Sequence, residues 1–504
     1  MGGAFRFMSR SGSPPGEVSE RKLEAEQVSE AALEKKKRKV IVLGAGISGL
    51  SAARRLLALG ADVSLWESSS RVGGVIDTVQ RGGLQFEQST DNFITTVPTV
   101  IELCRELGLE DDLVQTNNRD RRTYVVRKRR LHPLPDGFMM LAPTKLWPMV
   151  VTPLLSPLGK LRAGLELLIP RKKDLGDETI GHFARRRLGR EVTDRIVEPL
   201  LSGIYAGDAE KISLDATLPR FRELERKYRS LIVAMTLGQR AARRARRQEE
   251  SGARYSLFMT LRSGLAELPK AIARRFPEGT LRLGRRAVSV RRQEPDQWLV
   301  TDDAGQSETC DGVICALPSC AAGGLFSESV PEAARFYNTM EQTGCAVCSM
   351  AFKTEQIRAK FAGMGFVVPT IEGGILVAGS FSSHKYPHRA PEGITLLRLF
   401  VGGARAPEVV EMEPEALRKR VLDEIRPMLR IEGEPIDTEL ARWPRGMPQY
   451  YLGHLDRLAE LEKALERYPG LAFCGNSFRG VGIPACVESG YSAAESVCAQ
   501  AKES

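Results

Sequence analysis
The chain has 504 residues, 42% of them hydrophobic and 27% charged, which excludes the disordered class and exceeds what one core usually holds, so two or three joined domains are expected. A formal charge of +10 raises nucleic-acid binding. The basic residues, however, fall in separate runs (KKKRK at 35–39, RKRR at 127–130, RAARRARR at 240–247) without a nucleic-acid module, and this suits an anionic ligand or membrane surface and no nucleic acid.

Residues 1–38 read as a flexible leader, polar and without the apolar core of a secretory signal. From Val40 the pattern becomes strand, glycine turn, helix, strand: VIVLGAG, ISGLSAARRLLALG and ADVSLWE. Gly44, Gly46 and Gly49 form G-x-G-x-x-G between strand and helix. The first glycine permits the turn, the second lets a pyrophosphate approach the backbone, and the third allows close helix–strand packing. The helix N-terminus suits the diphosphate. Glu67, eighteen positions beyond Gly49, fits a ribose hydroxyl acceptor. Arg71, Gly73 and Gly74 offer a second turn along the diphosphate and ribityl chain. No other strand-linked fingerprint follows, which favours FAD over a pyridine nucleotide and an oxidase over a reductase.

Helix 97–113 comes next, and then a proline-rich, mainly helical insertion. Within it the apolar stretch Leu146–Pro170 reads as short helices that line an oily pocket or touch a bilayer face, and no stretch is long enough to span a membrane. A charged helix is expected over 219–250. Strands return at 279–293, 298–303 and 310–318, a mixed segment fills 344–403, a helix covers 414–429, and 471–497 is again strand, glycine-rich turn and helix. Nine scattered cysteines make no disulfide framework. The one C-x-x-C, Cys345 and Cys348, lacks a second pair, so buried strand thiols, no metal and a reducing cytoplasm are expected. The five histidines, His132, His182, His384, His388 and His454, form no nucleophile triad, and no catalytic residue is assigned.

The motifs VIVLGAGISGLSAA, ESSSRVGGVIDT, LQFEQSTDNF, PLLSGIYAGDAEKISLDAT (199–217), MTLRSGLAELPKAI (259–272), MPQYYLGH (447–454) and FCGNSFRGVGIPACVESGYSAAE (473–495) together resemble the protoporphyrinogen/coproporphyrinogen oxidase family, within the flavin amine oxidases. The resemblance implies an α/β FAD-binding Rossmann-like domain discontinuous in sequence (39–95, 250–310 and 440–504), an α+β substrate domain (96–120 and 311–439), and a mainly helical, membrane-facing domain (121–249). It implies FAD as cofactor, with a porphyrinogen and O2 as partners, and admits handover to the next haem-pathway enzyme. It assigns cofactor contacts to Gly44, Gly46, Ser48, Gly49, Glu67, Ser68, Arg71, Gly73, Gly74, Val288, Trp443, Gly475, Val481, Gly482 and Ile483, with Gln449 helping to wall the site. Arg122, with Arg121 as competitor, would meet a substrate carboxylate through a bidentate fork. A porphyrinogen pyrrole can lose its own proton as hydride leaves, so no dedicated base is required. The family's acidic-glycine-proline stretch is replaced here by Glu87-Gln-Ser-Thr-Asp91.

Coproporphyrinogen III, with four propionates, suits a basic entrance better than protoporphyrinogen IX with two. An amine oxidase or desaturase, and a non-enzymatic flavin scaffold, are the alternatives. The expected location is the cytoplasm, with peripheral contact at the inner face of the cell membrane allowed.

Overall fold
A computed structural model describes residues 37–117, 122–174, 176–238, 257–293 and 297–499. The leader's residues 1–36 and Arg121 lie outside them. A five-stranded parallel sheet runs in the order Leu281–Leu283, Asp62–Glu67, Lys39–Leu43, Gly312–Cys315, Leu471–Phe473. Both faces are covered, which is why its strands read as unbroken apolar runs. Alternate residues serve alternate sides. Val40 and Val42 face a core made with helices Ile47–Ala58 and Ile483–Ala499. Ile41 and Leu43 face Trp298, Val300 and Phe336, which come from a three-stranded antiparallel sheet and helix Pro331–Thr339. Lys39–Leu43 and Leu471–Phe473, the first and last strands among the described residues, thus share one sheet.

A second sheet has seven strands in the order Asp437–Pro448, Gln342–Lys353, Ile394–Gly402, Leu376–Phe381, Gly365–Val367, Thr123–Arg127, Arg130–Pro133. Helix Pro414–Leu429 covers one face with Leu417, Val421, Ile425 and Leu429, a stripe at helical spacing. Val367 and Ala378 on the other face pack into the helical region. Cys348 lies in the core under helix Pro414–Leu429. Cys345 is three residues away on the same strand and therefore points to the opposite face, so the pair cannot share a ligand.

The helical region consists of short helices, among them Trp147–Val151, Pro157–Gly164, Ile180–Leu188, Glu198–Tyr205 and Pro219–Tyr228. The single helix expected over 219–250 breaks at Arg229, whose φ is +62°, and its residues 239–250 lie outside those described. The cause is Glu166, fully buried and paired with the buried Arg187. Its carboxylate also accepts the Ser230 hydroxyl at 2.5 Å and the amides of Leu231 at 2.8 Å and Ile232 at 3.4 Å, and a helix running straight through would hold those amides in its own ladder.

Four expected boundaries move. Residues 96–120 are expected with the substrate domain, yet Val100, Ile101 and Cys104 pack into the core of the parallel sheet. Within 311–439, Gly312–Cys315 is a strand of that sheet and the seven-stranded sheet begins only at Gln342. Thr123–Arg127 and Arg130–Pro133, expected in the helical domain, are strands of the seven-stranded sheet, and so is Asp437–Pro448, part of which was expected with the cofactor domain. Prolines and charge runs mark local breaks, whereas sheet membership is decided by partners far away in sequence.

Candidate flavin-binding site
The glycine turn leaves the strand Lys39–Leu43 with the Gly44 amide donating to the Trp66 carbonyl at 2.7 Å. Gly44 has φ +96°, and a Cβ there would lie 2.9 Å from the Leu317 side chain. At Gly49 a Cβ would sit 1.9 Å from the Gly44 carbonyl, so this position is closed by packing. Gly46 is different: it caps the helix with ordinary backbone angles, and a Cβ would meet nothing within 4 Å. The first turn of helix Ile47–Ala58 holds no acidic residue, and no side chain caps it. Its amides are therefore suited to an anionic group.

Two further turns close around the same place. Gly73 bridges Gly46, its amide donating to the Ala45 carbonyl at 2.8 Å, and a Cβ on Gly74 would stand 3.4 Å from the Gly46 Cα. Arg71 braces this second turn by donating to the Gly74 carbonyl at 2.8 Å and to that of Val72 at 3.2 Å. Glu67 ends its strand with the carboxylate accepting the Ala45 amide at 2.7 Å and the Ser69 amide at 2.9 Å; the exposed Ser68 hydroxyl lies 3.4 Å away. Just past the neighbouring strand Leu281–Leu283 the Arg285 amide donates to the Glu67 carbonyl at 2.8 Å, and Val288 follows in the next strand, Ala287–Gln293. It sits half exposed at a bulge in its own ladder.

The third turn is C-terminal. A Cβ on Gly475 (φ +123°) would meet only the Ser48 hydroxyl, 4.0 Å off, and the Gly475 amide donates to Ser489 at 3.1 Å. Gly482 is exposed, Val481 half-buried, and Ile483 starts the last helix. That helix lies against helix Ile47–Ala58 so closely that a Cβ on Gly490 would stand 2.3 Å from the Ser48 carbonyl. Gly490 was not among the expected residues, although small residues at helical spacing, Cys486, Gly490 and Ala494, signal a close helix contact. Amides for a diphosphate, a carboxylate for ribose hydroxyls and three glycine turns around one space make a donor set that fits a flavin dinucleotide.

Glu87–Asp91, where the sequence departs from the family pattern, runs from the second glycine turn toward the seven-stranded sheet. Ser89 donates to the Val75 carbonyl at 2.5 Å, and Trp443 donates its indole N–H to the Gln88 carbonyl at 2.9 Å. Arg398 donates to the Glu87 carbonyl at 3.1 Å and also to that of Ser89. Arg389 reaches both the carbonyl (2.7 Å) and the carboxylate (3.0 Å) of Asp91, and Lys385 reaches the same carboxylate at 3.3 Å. Burial alone would raise the Asp91 carboxyl, but Lys385, Arg398 and Arg389 overturn this and hold it well below the ordinary carboxylate range. Glu87 is pushed up by burial despite Arg389. This buried charge cluster, absent from the expected site, fastens the loop to strand Ile394–Gly402 of the seven-stranded sheet and to the segment just before it.

Gln449 donates to the Tyr205 carbonyl at 3.0 Å and to Thr343 at 2.9 Å, tying helix Glu198–Tyr205 to the seven-stranded sheet. Gly203 of that helix faces Val367 and Ala378. Arg122 is exposed at the start of strand Thr123–Arg127, its carbonyl accepting the Met364 amide at 2.9 Å. Across the sheet, Arg398 pairs with Ser380, Ser380 with Gly365, and Gly365 with Thr123. Arg122 therefore stands about three strand spacings, roughly 14 Å, from the arginine holding the 87–91 loop.

Residues 47–498 match the family of flavin containing amine oxidoreductases. The chain is 37% identical to the coproporphyrinogen III oxidase of Bacillus subtilis over 91% of its length and 97% of that protein's. The chain belongs to the protoporphyrinogen/coproporphyrinogen oxidase family. Another similar member is the chloroplastic protoporphyrinogen oxidase of Nicotiana tabacum, 30% identical over 91% of this chain and 85% of that one. A candidate protoporphyrinogen oxidase from an Exiguobacterium species has a similar crystal structure, with a TM-score of 0.80 at 28% identity, covering 92% of this chain and 99% of its own. Membership in this porphyrinogen oxidase family implies a flavin, in keeping with the three glycine turns.

Proposed function
We propose that the protein is an FAD-dependent coproporphyrinogen III oxidase, removing six electrons in three two-electron rounds: coproporphyrinogen III and three O2 give coproporphyrin III and three H2O2. The carrying observation is the convergence of Gly46, Gly73–Gly74 and Gly475 on one space in a chain 37% identical to a coproporphyrinogen III oxidase. When bound, FAD supplies hydride acceptance and re-oxidation by O2. The chain's residues bind and orient: Gly44 shapes the turn, the amides at Gly46, Ser48 and Gly49 hold the diphosphate, Glu67 the ribose, and the turns at Arg71–Gly74 and Gly475–Ile483 the rest of the cofactor. Val288 contributes backbone to the adenine and Trp443 a wall. Arg122 holds a propionate, and the pyrrole proton leaves to water.

Three coproporphyrinogen III oxidases share 33–37% identity with this chain, against 25–30% for plant protoporphyrinogen oxidases. The basic hairpin Arg127–Arg130, at the opposite end of strand Thr123–Arg127 from Arg122, adds further positive charge along the same strand and supports the more acidic substrate. Protoporphyrinogen IX is the second reading, supported by the names of the tobacco and Exiguobacterium proteins. Coproporphyrin would pass to the next haem-pathway enzyme in the cytoplasm. Peripheral contact with the inner face of the membrane would use the 146–168 segment, where Trp147 and Leu158 are 72% and 78% exposed near Lys145 and Lys160. Among the described residues no helix is long and apolar enough to cross a membrane. The test is an oxygen-electrode assay with porphyrin fluorescence. Three O2 consumed per coproporphyrin formed supports the reading, and no porphyrin from FAD-loaded protein overturns it.

A further inference from the structure
Beneath the C-terminal turn stands an aromatic pair from a different segment. Tyr450 is 3% exposed and His454 fully buried; their rings stack with centroids 4.3 Å apart and planes at 10°. Tyr450 Oη donates to the Asn476 carbonyl at 2.5 Å and accepts the Gly480 amide at 3.0 Å, joining the two ends of the 476–480 turn. Between those ends, His454 Nε2 meets the Phe478 carbonyl at 2.8 Å. A carbonyl only accepts, so Nε2 carries the proton. Nδ1 is buried without a partner, and burial pulls the imidazole toward its neutral form. The Phe478 ring stacks on Phe336 at 5.5 Å with planes 3° apart.

Three backbone groups of one turn are thus held by two side chains, and Gly475 and Val481–Ile483 lie directly on either side. The pair is itself anchored. The Tyr450 carbonyl accepts the Ser213 amide at 2.8 Å, and Tyr451 bridges Ile212 of the helical region. A turn needed only for chain reversal could leave these carbonyls and amides to water; here they are bound inside the protein, as preorganised sites require.

We propose that Tyr450 and His454 are positioning residues that fix the 475–483 turn against the flavin. This rests on the reading that the turn faces FAD. Tyr450→Phe keeps the ring stack and removes both hydroxyl bonds; His454→Phe removes the third bond, and His454→Gln retains a donor. The measurements are the FAD dissociation constant by flavin fluorescence, the visible flavin spectrum and the flavin midpoint potential of reconstituted protein. The expected result is an FAD dissociation constant raised about tenfold in Tyr450→Phe, with a shifted spectrum and potential, and His454→Gln closer to wild type than His454→Phe. Variants that are merely less stable, with wild-type FAD affinity, spectrum and potential, overturn the proposal alone. If Tyr450→Phe fails to fold, the two His454 variants decide it by the same measurements. A wild-type chain that takes up no FAD overturns both this proposal and the cofactor reading.

Discussion

The Glu67 carboxylate accepts the Ala45 amide at 2.7 Å, so the end of one strand holds the glycine turn of its neighbour. The same carboxylate is proposed for the ribose hydroxyls, which would give Glu67 a binding role beside its hold on the turn. Glu67→Gln keeps an acceptor but loses the charge. Its FAD dissociation constant should rise roughly tenfold, measured by fluorescence titration, and an unchanged constant would remove Glu67 from the site.

Gly46 and Gly49 separate binding from folding. Gly46 has backbone angles open to any residue and free space at Cβ, so Gly46→Ala should melt like the wild type without cofactor. The added methyl enters the space assigned to FAD and should weaken binding roughly tenfold to a hundredfold. Gly49→Ala meets the Gly44 carbonyl at 1.9 Å and should lower the melting temperature of the apoprotein itself. Calorimetry of both apoproteins with FAD titrations checks the pair, and equal destabilisation by the two substitutions would contradict it.

Asp91 and Glu87 should act oppositely. A carboxyl whose folded pKa is depressed stabilises the fold above its unfolded value and loses that contribution as pH falls toward the folded one. Asp91 is depressed, so thermal stability should decline below about pH 4. Asp91→Asn should remove that acid limb and cost about 3–5 kcal/mol at neutral pH by leaving buried cations without their carboxylate. Glu87 is raised by burial, so its ionisation costs stability as pH rises from its unfolded value through its folded one. Glu87→Gln should leave the melting temperature at pH 7 unchanged or raise it. Melting curves from pH 3 to 8 test both signs.

Arg122 lies far from the 87–91 loop and is assigned to a propionate. Arg122→Met should raise KM for coproporphyrinogen III roughly tenfold while leaving kcat nearly constant, the pattern of a lost charge-assisted contact made equally in ground and transition states. A fall in kcat at constant KM would place Arg122 at the reacting centre instead.

How much could be read from sequence depended on distance along the chain. The unit from Val40 to Glu67 and the C-terminal strand, turn and helix were legible because their periodicity and glycine spacing are local. The seven-stranded sheet was not: Thr123–Arg127 pairs with Gly365–Val367, and nothing near Arg122 announces that partner. Asp91 and Arg389 are 298 residues apart, and each alone resembles an ordinary surface charge. The helix break at Arg229 depends on Glu166, which local propensity cannot see. Gly490 and the Tyr450–His454 pair carried only a weak signal, because small residues and aromatics at helical spacing are common in any core.

The central claim is tested most directly by anaerobic stopped-flow reduction of the FAD-loaded protein with coproporphyrinogen III and protoporphyrinogen IX, followed by admission of O2. The account predicts faster flavin bleaching by coproporphyrinogen III, with colour restored by O2 and H2O2 released. Faster bleaching by protoporphyrinogen IX would contradict the substrate assignment, and bleaching by neither would contradict the assigned activity.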